Sequence, residues 1–318
     1  MLARLKHRLS SRLGMAELRD HAKGTTANVD ALRLQLDEAQ RSTEARLVDV
    51  AGALESFRPL VTGSVGLDRW QRVAATSRWC ARAPLRHHPV ISVVMPTRDR
   101  SHLVTSAVRS VLEQTYDRWQ LVVVDDASGD DTTKVLDEVL NGVDTDHHVR
   151  VETSGVGAAA ARNAGVTAAT GDWVAFLDDD NVMDPGWLRA IAEFTGRERD
   201  VTSFFGAQLR DDVPTDSEVP RLLFEPDRTF AELCLHNSID LGMVAVRRDH
   251  PELHFDETLR LYEDWDLVVR LWGHDPMRSL AALSGYYTTA AATRVTDGDT
   301  PEDLAAMQQR LVDRFGLH

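Results

Sequence analysis

Sulfur is scarce in this chain. Two cysteines, Cys80 and Cys234, stand far apart in 318 residues, which excludes a disulfide framework or a zinc ribbon and points to a reducing compartment. Basic residues are in deficit: 36 Lys and Arg against 50 Asp and Glu leave a formal net charge of −14. So acidic a surface excludes a general nucleic-acid binder, because phosphate contacts need cations; partners that are cationic or carry their own metal fit better. Long apolar runs are missing too. No stretch approaches the roughly 18 residues of a membrane span, and no apolar block precedes a small-residue cleavage site near the start. The expectation is a cytoplasmic protein. Its 43% hydrophobic content is enough for one large α/β domain and a smaller element.

The first residues have a character of their own. Leu2, Leu5, Leu9 and Leu13 recur at helical spacing, while Arg4, Lys6, Arg8 and Arg12 supply a basic face with no acid among residues 1–15. That pattern suits peripheral contact with an anionic inner membrane face and equally a short helix docked on its own protein. From Val29 to Phe57 apolar or small residues alternate at three and four, with a stutter at Thr43. This is the spacing of a coiled coil or of a helix packed on the main domain, and it allows self-association through residues 1–60. The pattern breaks at Pro59–Gly66, and Pro84–Pro89 reads as a linker. The expected organisation is a helical extension over residues 1–85, an α/β domain over 86–290 and a C-terminal helical segment over 291–318.

From residue 90 onward strand and helix signals alternate. Strands are expected near 90–96, 120–125, 148–153 and 173–177, with helices near 102–115, 131–141, 157–169 and 185–195, the alternation of a parallel sheet built from βαβ units. Ser128-Gly129-Asp130-Asp131 has the form of a capping box, and Asp184-Pro185 sets a cap before a first-turn proline. Later signals are weaker: a strand near 242–247, helices near 264–273 and 301–314, and a long loop over 208–228 suited to a lid.

Two of the expected strands end in acids. Leu121–Val124 leads into Asp125-Asp126, and Trp173–Leu177 leads into Asp178-Asp179-Asp180. Carboxylates packed this closely repel one another and call for a cation. Two such tips imply one acidic crevice at the carboxyl edge of the sheet, where open α/β folds bind ligands. The bland alternative for the triple acid is a solvated turn. Mg²⁺ or Mn²⁺ fits the functional one, since such ions take one or two carboxylates plus substrate phosphates.

Gly155-Val156-Gly157-Ala158-Ala159-Ala160 also fits G-x-G-x-x-A, with Asp178 about 20 residues on, as a dinucleotide site requires. An NAD(P)-dependent oxidoreductase is therefore a candidate. It needs only one acid and no metal, and its fingerprint sits on the first strand of its domain, whereas this one follows the third. The glycines are expected to turn the chain closely and to present amides, with Arg162, to a phosphate-bearing ligand. Glu263-Asp264-Trp265-Asp266 opens a helix, where acids are ordinary dipole partners or, alternatively, a general base.

Taken together, Ile91–Arg100, Val122–Ser128, Ala161–Gly165, Phe176–Asn181 and Glu263–Asp266 resemble the ordered motifs of family-two glycosyltransferases with the GT-A fold. The resemblance spans roughly residues 90–275. It implies a Rossmann-like, mostly parallel sheet flanked by helices, and an inverting, metal-dependent transfer of a sugar from a nucleotide-diphosphate donor to an acceptor hydroxyl. By position, Pro96, Thr97, Arg98 and Asp99 line the base pocket, Asp126 accepts from the base, and Arg162 sits near the diphosphate or sugar. Asp178 and Asp180 form the D-x-D pair that holds Mn²⁺ or Mg²⁺, Asp180 more directly, while Asp178 or Asp179 contacts the ribose or sugar. Asp264 is the base.

Relatives often carry an aromatic where Arg98 stands, so UDP is favoured and thymidine or guanosine donors stay open. A late metal-binding histidine common in the family has no counterpart in Thr288–Asp299. The implied acceptor is a carbohydrate or a lipid-linked glycan of surface polysaccharide or glycoconjugate synthesis, with Phe224, His236, Tyr262, Trp265 and Trp272 as candidates for sugar stacking or core. A nucleotidyltransferase is the next reading, although Pro96–Arg100 lacks the glycine of its phosphate loop, and a non-catalytic sugar-nucleotide scaffold is the last.

Overall fold

The computed structural model describes residues 64–210, 221–223, 229–287 and 300–316. The membrane-face and coiled-coil readings of residues 1–57, the stacking candidate Phe224 and the Thr288–Asp299 stretch lie outside the described residues.

Strands β1 (Ile91–Thr97), β2 (Trp119–Asp125), β3 (His148–Glu152) and β4 (Trp173–Phe176) pair side by side and all parallel in the order β3-β2-β1-β4. Their near-continuous apolar runs have a simple cause. Successive side chains alternate between faces, and both faces are covered by helices. Ile91, Val93 and Met95 enter one core, together with Val104 and Val108 of α2 (Val104–Leu112) and Leu136 of α3 (Thr132–Val139). Trp187 and Ile191 of α5 (Trp187–Arg197) complete that side, while Val94 enters the opposite core with Ala161 of α4 (Ala158–Ala168). Each fully buried Val, Ile or Leu contributes roughly 1.5–3 kcal/mol.

Past β4 the sheet becomes mixed. Strands β5 (Val182–Met183), β6 (Ser203–Arg210), β7 (Arg221–Leu223), β8 (Val244–Arg247) and β9 (Arg278–Tyr287) extend it, among the described residues, to the order β3-β2-β1-β4-β8-β6-β9-β5, with β7 beside β6. β8 runs antiparallel to both β4 and β6, and β6 runs parallel to β9. The parallel βαβ expectation thus describes the first half of the sheet. The 208–228 loop is corrected at its ends, where Gln208–Arg210 pairs with Arg221–Leu223 as a hairpin. Behind this half stand α6 (Phe230–Leu235), α7 (Glu263–His274) and α8 (Pro301–Phe315), which send Leu233, Trp265, Val268 and Leu311 into the second core.

Caps explain several boundaries. Thr300 and Asp303 form the reciprocal box that starts α8 with Pro301 in its first turn. The Ser128 box does not form: α3 starts later, and Asp130 is the residue whose carboxylate accepts from the Thr132 N–H at 2.9 Å. Asp184 accepts from the Gly186 N–H at 2.9 Å, ahead of the proline rather than as the immediate N-cap of α5.

Helix α1 (Ser64–Arg82) is anchored to the same sheet. Val73 packs with Ala207 and Leu283, and the Leu283 N–H donates to Ser77 Oγ at 3.0 Å. Arg189 donates to the carbonyls of Cys80, Ala81 and Ala83 at 3.0, 3.1 and 2.8 Å, satisfying orphan groups at the C-terminus of α1. Cys80 and Cys234 are both buried, and burial pushes each thiol up to about 11, so neither is a nucleophile. Among the described residues no helix is long and apolar enough to cross a membrane.

Candidate active site

The carboxyl ends of β1, β2 and β4 open on one cavity of about 680 Å³. Its wall includes Pro96 and Thr97 at the end of β1, Arg98 just after it, Asp126 after β2, the 155–162 turn and helix start, Asp178, Asp179 and Asp180 after β4, and Tyr262, Glu263 and Asp264 at the start of α7. Of the residues expected from sequence to bind the donor or metal or to act as base, all but Asp99 line it.

Asp99 and Asp125 have bracing duties instead. The Asp99 carboxylate accepts from the Gly129 N–H at 2.7 Å while its own N–H donates to Ser128 Oγ at 3.0 Å. Asp125 accepts from the Ser128 N–H at 3.0 Å and from Thr133 Oγ1 at 2.9 Å. The loops that follow β1 and β2 are thereby laced together. Their turns put Asp99 and Ala127 at φ 52° and 60°, and Tyr262, at φ 63°, caps α7 in the same left-handed region. These are the non-glycine residues with positive φ among the described residues; all lie at the mouth of the cavity or beside it, where backbone strain tends to gather.

The glycine turn is built differently from the sequence expectation. Gly155 and Gly157 adopt φ 78° and 91°, which glycine permits without steric cost. The turn's amides, however, face inward: Val156 and Gly157 N–H each donate to the Asp126 carboxylate at 2.8 Å, and the Thr153 hydroxyl joins them. Burial opposes ionisation of Asp126, but these hydrogen bonds and the Arg98 guanidinium 3.8 Å away outweigh it and hold the carboxyl below its usual range. Asp126 therefore organises the turn, and the Val156 and Gly157 amides are taken up by its carboxylate.

Arg162 is likewise engaged by protein. Its guanidinium donates to Asp178 Oδ1 at 2.8 Å and to Glu263 Oε1 at 2.6 Å, and it lies 5.6 Å from the centre of the Phe255 ring. A cation so placed joins two motifs far apart in sequence, one at the end of β4 and one at the start of α7.

Two carboxyls in the wall hold their protons unusually well. Burial, then the adjacent Asp180 and Asp178, raise Asp179 to about 7, with Arg100 Nε 3.8 Å away as a partial counter-charge. Burial, then Glu263, raise Asp264 to about 7 as well, against the pull of Arg162 and of the Trp265 N–H that donates to Asp264 Oδ1 at 2.7 Å. A carboxylate poised near neutrality at a helix start beside a cavity is suited to proton transfer.

Among the described residues no three of His, Cys, Asp and Glu converge to hold an ion by themselves. The donor set fits a hard divalent ion of the kind that takes one or two carboxylates and completes its shell with phosphate oxygens and water. The repulsion from Asp180 and Asp178, which adds to burial in raising Asp179, is what such an ion would relieve.

Sequence reading missed Asn237, Asp240, Glu257, Arg260 and Tyr287, which also line the cavity. They come from irregular segments or the end of an unexpected strand, where no periodicity marks them. Of the stacking candidates, Trp265 is fully buried with its indole N–H on the Leu233 carbonyl at 2.7 Å, and Trp272 stacks on Phe205 at 6.0 Å; both serve the core. His236 is exposed outside the lining, and Tyr262 remains at the cavity.

Comparison with known proteins agrees with this geometry. The model of the family described as "Glycosyl transferase family 2" matches residues 92–250. The chain is 31% identical over 166 residues to TuaG of Bacillus subtilis, designated a teichuronic acid biosynthesis glycosyltransferase, covering 52% of this chain and 64% of that protein. It is 38% identical over 96 residues to WfgD of Escherichia coli, a UDP-Glc:α-D-GlcNAc-diphosphoundecaprenol β-1,3-glucosyltransferase, covering 29% and 36%. The chain thus spans less than two thirds of the length of these relatives.

Among solved structures, TarS 1-349 of S. aureus in complex with UDP-GlcNAc superposes with a TM-score of 0.58 at 20% identity, over 70% of this chain and 65% of that one. The mannosyltransferase PcManGT of Pyrobaculum calidifontis, in complex with GDP-Man and Mn²⁺, superposes with a TM-score of 0.51 at 16% identity, over 80% of each chain. At such identities the likeness is one of fold. With the family model spanning half of the chain and the sheet matching these folds, the chain belongs to glycosyl transferase family 2 and has the GT-A fold.

Proposed function

We propose that this glycosyltransferase moves a sugar from a nucleoside-diphosphate donor, with UDP-sugars favoured, to a hydroxyl of a carbohydrate or lipid-linked acceptor, inverting the anomeric centre. The observation that carries the reading is the convergence of Arg98, Asp178, Asp180 and Asp264 on one cavity of about 680 Å³, ample for a sugar nucleotide. Relatives named for teichuronic acid and lipid-linked glycan synthesis support a role in surface polysaccharide or glycoconjugate assembly. A UDP-GlcNAc complex and a GDP-Man complex among structures of this fold leave the base to experiment.

Asp264 accepts the proton of the acceptor hydroxyl as its oxygen attacks the anomeric carbon and the bond to the diphosphate breaks on the far side. An alcohol is a far weaker acid than a carboxyl, so the proton moves only as the new bond forms. Most of the acceleration comes from holding the reactants in line. Pro96, Thr97 and Arg98 border the end of the cavity assigned to the base, where the Arg98 guanidinium plane is able to stack. Asp178 and Asp180 would hold Mn²⁺ or Mg²⁺, which when bound offsets charge on the departing diphosphate. An oxidoreductase is disfavoured by the glycine turn, where the Val156 and Gly157 amides are engaged by Asp126.

The test is turnover of a panel of nucleotide sugars by the intact chain with and without Mn²⁺, beside Asp264→Asn. The variant is expected to keep donor affinity by calorimetry and to lose on the order of 10²-fold or more in turnover. Unchanged turnover would remove Asp264 from the chemistry.

A further inference from the structure

The Arg162 guanidinium bridges Asp178, on the donor side of the cavity, and Glu263, the residue next to Asp264, at 2.8 and 2.6 Å. Arg162 is 8% exposed, so the bridge is shielded from water and from screening salt. Its helix is fixed in turn: Gly165, one turn on, lies so close to β1 that a Cβ there would run into Val94. Asn163, its neighbour in the chain, ties the 255–257 segment by accepting from the Phe255 N–H at 2.7 Å and donating to Glu257 at 2.9 Å. A residue held this firmly, with both ends of its fork on carboxylates, is poorly placed to reach out to a diphosphate.

From this geometry we infer that Arg162 is a positioning residue, which ties the end of β4 to the start of α7 and sets the orientation and charge environment of Asp264. The inference deepens the transferase reading and rests on its assignment of Asp264. The groups facing Asp264 are Glu263 and Asp240, which favour its protonated form, and Arg162, which opposes them. Removing the cation and removing the neighbouring anion should therefore act in opposite directions.

The experiment compares Arg162→Met, Arg162→Lys and Glu263→Gln in the intact chain. It reads the acid limb of the turnover pH profile and, independently of turnover, the titration of the Asp264 carboxyl by carbon-13 NMR with Asp264→Asn as the assignment control. Arg162→Met should move the titration up by about one pH unit, Arg162→Lys should leave it near the wild-type value, and Glu263→Gln should move it down. A titration unmoved in both Arg162→Met and Glu263→Gln overturns the inference. So does a loss in Arg162→Met confined to donor affinity with turnover at saturation intact, which would assign the guanidinium to the diphosphate. If Arg162→Met does not fold, Glu263→Gln decides alone. Absence of sugar transfer by the wild type would sink the transferase reading while the NMR titration still judges this one.

Discussion

At the scale of single residues, the carboxylates in and beside the cavity are each given a different task by their surroundings. Asp125 and Asp99 brace loops, Asp126 gathers the amides of a turn, Asp178 takes one end of an arginine fork, and Asp264 lines the cavity with its proton retained to about 7. Asp126→Asn tests the turn. An amide offers one acceptor where the carboxylate offers two, and its NH₂ would confront a backbone N–H. The variant should lose about 1–3 kcal/mol of stability and on the order of tenfold in affinity for a nucleoside diphosphate, read by thermal melting and calorimetry. Lower stability with unaltered affinity would mean that the turn does not border the donor. Sequence pointed to Asp125, Asp126 and Asp178–Asp180 because they sit at the tips of apolar runs. It could not show which of them are already consumed by local hydrogen bonds, since Thr153, Val156 and Gly157 come to Asp126 from a different loop.

At the scale of elements, alternation and spacing carried the first half of the sheet. Strands with both faces covered leave long apolar runs, and the helices between them leave capped, amphipathic stretches, so β1 to β4 and their connections stand out. β6 and β9 did not, because Ser203–Arg210 and Arg278–Tyr287 mix polar and small residues at positions set by a mixed, partly irregular pairing. The fit of α4 to the sheet is the element-level feature with a sharp consequence. At Gly165 a methyl would strike Val94 and come within 3.1 Å of Val124 Cγ2. Gly165→Ala should therefore cost about 1–3 kcal/mol by overpacking, despite alanine's better helix propensity. It should also shift Arg162, which rides on the same helix. Chemical denaturation gives the first effect and donor turnover the second; a stabilised variant would contradict the packing.

At the scale of the whole molecule, Asp264 couples stability to pH. Its folded carboxyl holds its proton to about 7, whereas an unfolded aspartate releases it near 4. Between those pH values the folded chain carries the extra proton, so this residue lowers stability as pH rises from about 4 to about 7 and contributes no further change above. Asp264→Asn lacks that loss. Its stability relative to wild type in urea should be greater at pH 8 than at pH 5, by on the order of 2–3 kcal/mol. A constant gap would show the carboxyl to be ordinary.

The order of strands adds a consequence for how the molecule comes into being. Among the described residues, β4 pairs with β1 on one edge and reaches the later half of the sheet through β8 on the other, and β8 follows β5, β6 and β7 in the chain. A ribosome delivers the N-terminal part first, so the wall bearing Asp126 and Asp178 is synthesised while its flank is still bare, and the segment bearing Asp264 emerges later. During that interval the nascent polypeptide carries Asp126 and Asp178 without Asp264, and the unpaired β4 edge is open to pairing with another chain.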